Sequence, residues 1–119
     1  MKVLLLTNSI GFGGVEKNVA FLANNLTIRG HEVYVLNYNS IGDYINSSQQ
    51  VFLDEVRLLN YEGTKKGKLN RLHKILYTYR QTRIFCPDVI VGFTAFPSYA
   101  AKIVSILTGV PSVMTERGN

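Results

Sequence analysis

Cysteine is nearly absent from this chain. Cys86 is the single one in 119 residues, which excludes an internal disulfide framework and fits a reducing cytoplasm. Soft metal ligands are as scarce: only Cys86, His31 and His73, well apart in sequence, which argues against a structural zinc site. No acidic pair with metal-binding spacing appears, so no metal and no other cofactor is expected. No apolar run approaches the length that spans a bilayer. Met1-Lys2 leads into only a few apolar residues with no small-residue cleavage site, so no signal peptide is expected. Internal repeats and low-complexity tracts are also lacking.

What remains is a chain with room for one domain and a real core. Apolar residues make up 46% and charged ones 18%, a globular balance rather than a disordered one. The net charge of +5 is unevenly placed. Lys65, Lys66, Lys68, Arg71, Lys74, Arg80 and Arg83 crowd into one segment. Such a cluster fits nucleic acid, an anionic membrane, an acidic substrate or a plain solvated helix face. Nucleic acid is disfavoured as a partner, because the segment turns only Tyr77 outward for base stacking.

The first forty residues carry the clearest pattern. An apolar strand over Lys2–Asn8 runs into the glycine loop Gly11-Phe-Gly-Gly14, which opens a helix ending at Arg29-Gly30. A second strand follows over His31–Leu36. Unbroken apolar runs suit parallel strands buried on both faces. Val15, Val19, Leu22, Ala23 and Leu26 give the helix one packed face, and Gly30 is its expected C-terminal cap. Residues 38–50 read as loop, and Val51–Leu58 as a shorter strand toward a sheet edge. After a basic connector, Leu69, Leu72, Leu76 and Tyr79 predict a helix that packs through them. Ile75 lies beside that face, with Arg71, Lys74 and Tyr77 turned away. Pro87 closes it. A buried strand over Asp88–Phe93, a helix over Ser98–Leu107 and a last strand over Val110–Thr115 complete the alternation. The expected fold is α/β, a doubly wound parallel sheet in order 3-2-1-4-5, with ligands above the strands' carboxyl ends. The last strand has no helix after it, so residues 1–119 read as a single Rossmann-like domain cut at its C-terminal edge.

Several phosphate-binding motifs are excluded. Glu16 occupies the third glycine position of a dinucleotide fingerprint, and no acidic residue ends the second strand to take a ribose hydroxyl. No Gly-Lys-Ser/Thr follows the glycines, so a P-loop is out. The first strand ends in Thr7-Asn8 without the acidic cluster of a phospho-receiver. A glycine loop at a helix start still favours phosphate or carboxylate, although a tight ligand-free turn needs the same residues.

Gly13-Gly-Val-Glu16, the helix Asn18–Leu26 and Arg29-Gly-His-Glu-Val33 resemble the start of the retaining GT-B glycosyltransferases grouped as family four. Pro87-Asp-Val-Ile-Val-Gly-Phe93 and the Gly109–Asn119 segment resemble that family's later strands. The resemblance covers nearly the whole chain, in the family's order. It implies the acceptor-side, N-terminal domain of an enzyme with two Rossmann-like domains. The donor-binding domain, with its basic residues and Glu-x7-Glu motif, is not in this sequence. The implied partners are a nucleotide-sugar donor, bound through that other domain, and a surface-polysaccharide or lipid-linked saccharide acceptor. Gly11, Gly13 and Gly14 would line the donor phosphates or the acceptor. Glu16 would be the loop glutamate, a position that also suits any carboxylate through the helix dipole. Glu116 and Arg117 match a Glu-Arg pair past the fifth strand, where Arg117 could hold a phosphate bidentately. A local Glu–Arg surface pair is the plainer reading.

Where many members place a histidine after the fourth strand, this chain has Phe93-Thr94-Ala95-Phe96. Thr94 can hydrogen-bond an acceptor hydroxyl but cannot serve as a base. No catalytic residue can be named. His31 and His73 read as structural or solvent-facing. The basic residues Lys65, Lys66, Lys68, Arg71 and Lys74 would sit near an anionic leaflet, which implies a cytoplasmic protein peripheral to the membrane. The alternative is a non-catalytic module binding an anion or lipid head group, or a gene remnant.

Overall fold

A computed structural model describes residues 1–7, 14–38, 53, 55–61, 68–93 and 95–115. Five parallel strands form one sheet in the order β3-β2-β1-β4-β5. They are β1 (Lys2–Thr7), β2 (Glu32–Asn37), β3 (Arg57–Asn60), β4 (Val89–Phe93) and β5 (Ser112–Thr115). Among the described residues the helices are α1 (Gly14–Ile28), α2 (Lys68–Phe85) and α3 (Ala95–Thr108). The expected strand order holds, and the fold is a Rossmann-like doubly wound α/β sheet.

Strand alternation divides the core in two. Val3, Leu5, Val33, Val35, Val91 and Phe93 point to one face, where Val19, Ala20 and Ala23 of α1 cover them. Leu4, Leu6, Tyr34, Leu36 and Ile90 point to the other, against α3 (Ala100, Ala101, Val104) and α2. Leu4, Leu5 and Leu6 of the central strand are wholly buried, so an unbroken apolar run marked a strand packed on both sides.

The helices end through left-handed caps. At the end of α1, Gly30 has φ +92°, its N–H donates to the Thr27 carbonyl, and His31 N–H donates to the Leu26 carbonyl. This is a Schellman closure. Gly109 (φ +81°) closes α3 by donating to the Ser105 carbonyl. Cys86 closes α2 at φ +50°, donating to the Thr82 carbonyl at 2.9 Å. Pro87 has no N–H for a second capping bond, so this cap makes the one.

Several boundaries differ from expectation, most clearly in three elements. The third strand is Arg57–Asn60 rather than Val51–Leu58, because pairing with Tyr34–Asn37 sets its register. Val56 lies in the bend before it and still packs into the α1-side core. The fifth strand starts at Ser112 rather than Val110. The last helix begins at Ala95 rather than Ser98. Pro97 sits in its first turn, where a missing N–H costs no helical bond. Gly92 permits that helix to approach: a Cβ there would stand 2.6 Å from Ser98 Cα and 2.7 Å from the Pro97 carbonyl oxygen.

The largest correction concerns α2. Leu72 and Leu76, expected in the core, are 54% and 52% exposed. Thr78 and Thr82 are buried instead, with Ile75, Tyr77, Tyr79 and Phe85 packed against the α2/α3-side core. The threonine hydroxyls donate to the Lys74 and Thr78 carbonyls one turn back, so their burial leaves no unpaired donor. Lys74 and Tyr77, expected to turn away, are half-buried.

Candidate functional site

All five strands are parallel, so Thr7, Asn37, Asn60, Phe93 and Thr115 end on one rim. This carboxyl rim is where a doubly wound sheet takes ligands. The segments that continue from β1, β4 and β5 at that rim hold most of the expected site residues. Gly11, Gly13, Thr94, Glu116 and Arg117 lie outside the described residues, as do Lys65 and Lys66. Gly14 opens α1 and Glu16 falls in its first turn. Lys68 opens α2, and Arg71 is exposed one turn later.

The described part of the rim is an aromatic buttress. Tyr38 N–H donates to the Thr7 carbonyl and Tyr61 N–H to the Asn37 carbonyl, so each tyrosine extends the ladder one residue past its strand. Both rings are buried, Tyr38 at 2% and Tyr61 at 5% exposure. The Tyr38 hydroxyl pairs with Thr78 Oγ1, and that of Tyr61 with His73 Nδ1. Phe96, in the first turn of α3, meets Tyr38 edge-on at 5.3 Å, and Tyr77 meets Tyr61 at 5.4 Å.

Lys74 projects into this cluster. Its Nζ lies 6.0, 5.9 and 5.6 Å from the ring centres of Tyr38, Tyr61 and Phe96. Desolvation, then the nearby Arg71 charge, hold its ammonium pKa below the ordinary lysine value. Desolvation raises the Tyr38 phenol well above its ordinary range, outweighing the opposing effect of its hydrogen bond with Thr78, and raises Tyr61 as well. Lys74 is therefore part of the rim and not of an outward basic stripe. His73 is exposed as a residue, yet its ring is tied to Tyr61.

Sequence reasoning missed this buttress, although a signal was available. Strands β2 and β3 both close on Leu-Asn followed by Tyr, at Leu36-Asn37-Tyr38 and Leu59-Asn60-Tyr61, and Asn37 pairs with Asn60 in register.

At the opposite rim Met1, Lys2, Gly30, Glu32, Cys86 and Asp88 line a shallow cavity of about 390 Å³. Lys2 and Asp88 clamp each other there: Lys2 N–H donates to Asp88 Oδ2, and Asp88 N–H to the Lys2 carbonyl, both at 2.7 Å. His31 precedes β2 at this end, with its Nδ1 buried and unpartnered. Among the described residues, no three His, Cys, Asp or Glu side chains gather as a metal site. Nor is any described helix long and apolar enough to cross a membrane.

No protein-family model matches the chain, and no curated protein matches it. Solved structures do. A glycosyltransferase from Rickettsia africae superimposes with a TM-score of 0.74 at 12% identity, over 99% of this chain and 30% of its own. A putative UDP-N-acetylglucosamine 2-epimerase from Listeria monocytogenes gives 0.74 at 13% identity, over 98% of this chain and 31% of its own. MurG from Acinetobacter baumannii gives 0.66 at 16% identity, over 95% and 34%. This chain thus spans about a third of the length of each, and shares with them the architecture of one Rossmann-like domain.

Proposed function

We propose that these residues form the acceptor-side domain of a GT-B glycosyltransferase. It would move a sugar, with retention, from a nucleotide-sugar donor to a surface-polysaccharide or lipid-linked acceptor. The observation that carries this reading is a conjunction. The fold matches a glycosyltransferase domain over 99% of the chain, and the glycine loop, Thr94 and the Glu116-Arg117 pair follow in sequence strands that all end on one rim. In this reading backbone N–H groups at Gly13 and Gly14 and the start of α1 face donor phosphate or acceptor. Arg117 grips a phosphate, Glu116 orients Arg117 or a hydroxyl, and Thr94 bonds an acceptor hydroxyl. Stabilising charge on the departing diphosphate is the main catalytic contribution. Most of it would come from chain beyond these residues.

A second reading is favoured by the equal match to the 2-epimerase. Both are sugar-nucleotide chemistries on one architecture, and a fold alone does not choose between them. The separating experiment incubates the protein that contains this chain with labelled nucleotide sugars, with and without membrane-extracted acceptors. The transferase reading expects label in the acceptor fraction and nucleoside diphosphate released in proportion. Epimerised nucleotide sugar without any acceptor would replace it with the second reading. Binding without either product would leave a non-catalytic module.

A further inference from the structure

The two edges of the sheet are guarded unequally. β3 opens on Arg57, with Glu55 exposed just before it. Charge on an edge strand is a common defence against pairing with another chain. At the other edge β5 reads Ser112-Val-Met-Thr115, with no charge and no proline inside it. Val113 and Met114 are 50% and 54% exposed. Val113 stands in register with Val91 on the α1 side of the sheet, while Ser112 and Met114 alternate to the other side with Ile90. The backbone pattern fixes which groups face outward. Ile90 N–H donates to the Pro111 carbonyl, and Ile90 pairs with Ser112 in register. In a parallel ladder this turns the N–H and C=O of Val113 toward β4 and those of Ser112 and Met114 away from it. Among the described residues no strand pairs with β5 on that outer side.

Two outward residues separated by one inward residue complement a copy of themselves. We propose that β5 pairs antiparallel with β5 of a second copy, about a twofold axis at Val113, joining two five-stranded sheets into one. In this register Ser112 lies opposite Met114 of the second copy, and each such pair exchanges both backbone hydrogen bonds. Every outward N–H and C=O of the two residues is then satisfied. Val113 faces its own copy as a non-hydrogen-bonded pair, with Cα atoms about 4.5 Å apart. On the opposite face the long Met114 side chain lies beside the short Ser112 one. Charge favours this strand over the other exposed apolar surface as the contact between copies. β5 sets no charge against itself, whereas α2, which has no acidic residue, would set arginine against arginine. Four residues a side make a small interface, so the dimer should dissociate on dilution. The inference does not depend on sugar transfer.

Light scattering on the 119-residue chain should show a mass that rises from monomer to dimer with concentration. Each copy carries a net charge of +5, so added salt should strengthen association by screening their repulsion. Val113→Lys sets two ammonium groups together at the axis and should weaken association roughly tenfold or more. Its melting curve at monomeric concentration should stay close to that of the parent chain. Cross-linking tests the register without relying on a loss. In a Cys86→Ser background, Val113→Cys should form an intermolecular disulfide under oxidised glutathione. Met114→Cys in the same background should not, because it opposes Ser112. A mass that stays monomeric, association untouched by Val113→Lys, or equal cross-linking at the two positions would overturn the proposal. So would association that Leu72→Gln with Leu76→Gln abolishes and Val113→Lys does not, which would assign the contact to α2.

Discussion

Tyr38 shows how one residue can couple the rim to stability. Its phenol is buried and paired with Thr78, and desolvation keeps it protonated well above the ordinary 10.0. An unfolded chain would release that proton near the ordinary value while the folded one keeps it. The contribution is therefore complete below that pH and is lost as pH climbs through the alkaline range. Lys74 acts in the opposite sense. Its folded-state pKa is depressed by desolvation, so the unfolded chain binds the proton more tightly and folding gains stability as pH rises through the lowered value. Tyr38→Phe should cost about 1 kcal/mol at neutral pH through the lost hydrogen bond. It should also flatten the alkaline decline. Urea denaturation at neutral and alkaline pH checks both, and an unchanged alkaline slope would show that another group sets it.

Two glycines separate backbone strain from crowding. A Cβ at Gly30 meets nothing within 4 Å, so Gly30→Ala should cost only the φ +92° penalty, roughly 1–2 kcal/mol. At Gly92 the obstruction is backbone of α3. Gly92→Ala should therefore cost more, about 3 kcal/mol, by pushing that helix off the sheet. Thermal melts that rank the two the other way would contradict the packing described.

At the scale of elements, α1 and α2 show what sequence can and cannot convey. Val19 and Ala23 of α1 occur where a helix must face the sheet, and the Arg29-Gly30 stop coincides with a Schellman cap, so periodicity and cap chemistry agreed. In α2 they did not. Leucines at helical spacing pointed to one face, yet the buried face carries Thr78 and Thr82. Hydropathy cannot see that a threonine satisfied by its own helix is inexpensive to bury. The Cys86 cap was equally invisible, since only the backbone reveals its φ of +50°. Cys86→Gly should relieve that strain. The gain in stability should be about 0.5–1 kcal/mol, because glycine's greater freedom in the unfolded chain offsets part of it. Chemical denaturation measures it, and destabilisation would mean that the Cys86 side chain packs more than its exposure indicates.

Over the whole molecule, strand order was legible because strand–helix alternation with right-handed crossovers gives a doubly wound sheet, in which the chain returns from β3 to set β4 on the free side of β1. The site was legible only as a place. Glycines and a Glu-Arg pair flank strand ends in sequence, but the tyrosines and Lys74 that build the described rim come together from β2, β3, α2 and α3. No local motif gathers them. On the proposed acceptor-side reading, the 119-residue chain by itself should turn over no sugar nucleotide, since one wall of a cleft cannot exclude water or complete the donor's contacts. Labelled transfer by this chain at rates near those of a two-domain enzyme would refute that division of labour.

The central claim is that ligands meet this domain at the carboxyl rim. Amide chemical-shift mapping of the ¹⁵N-labelled chain tests it most directly, during titration with a nucleotide sugar and then with saccharide acceptors. The account predicts weak, fast-exchange shifts at Gly13, Gly14, Tyr38, Tyr61, Phe96 and Arg117, with Lys2, Glu32 and Asp88 at the opposite rim unmoved. Shifts concentrated at Lys2, Glu32 and Asp88, with the carboxyl rim silent, would contradict it.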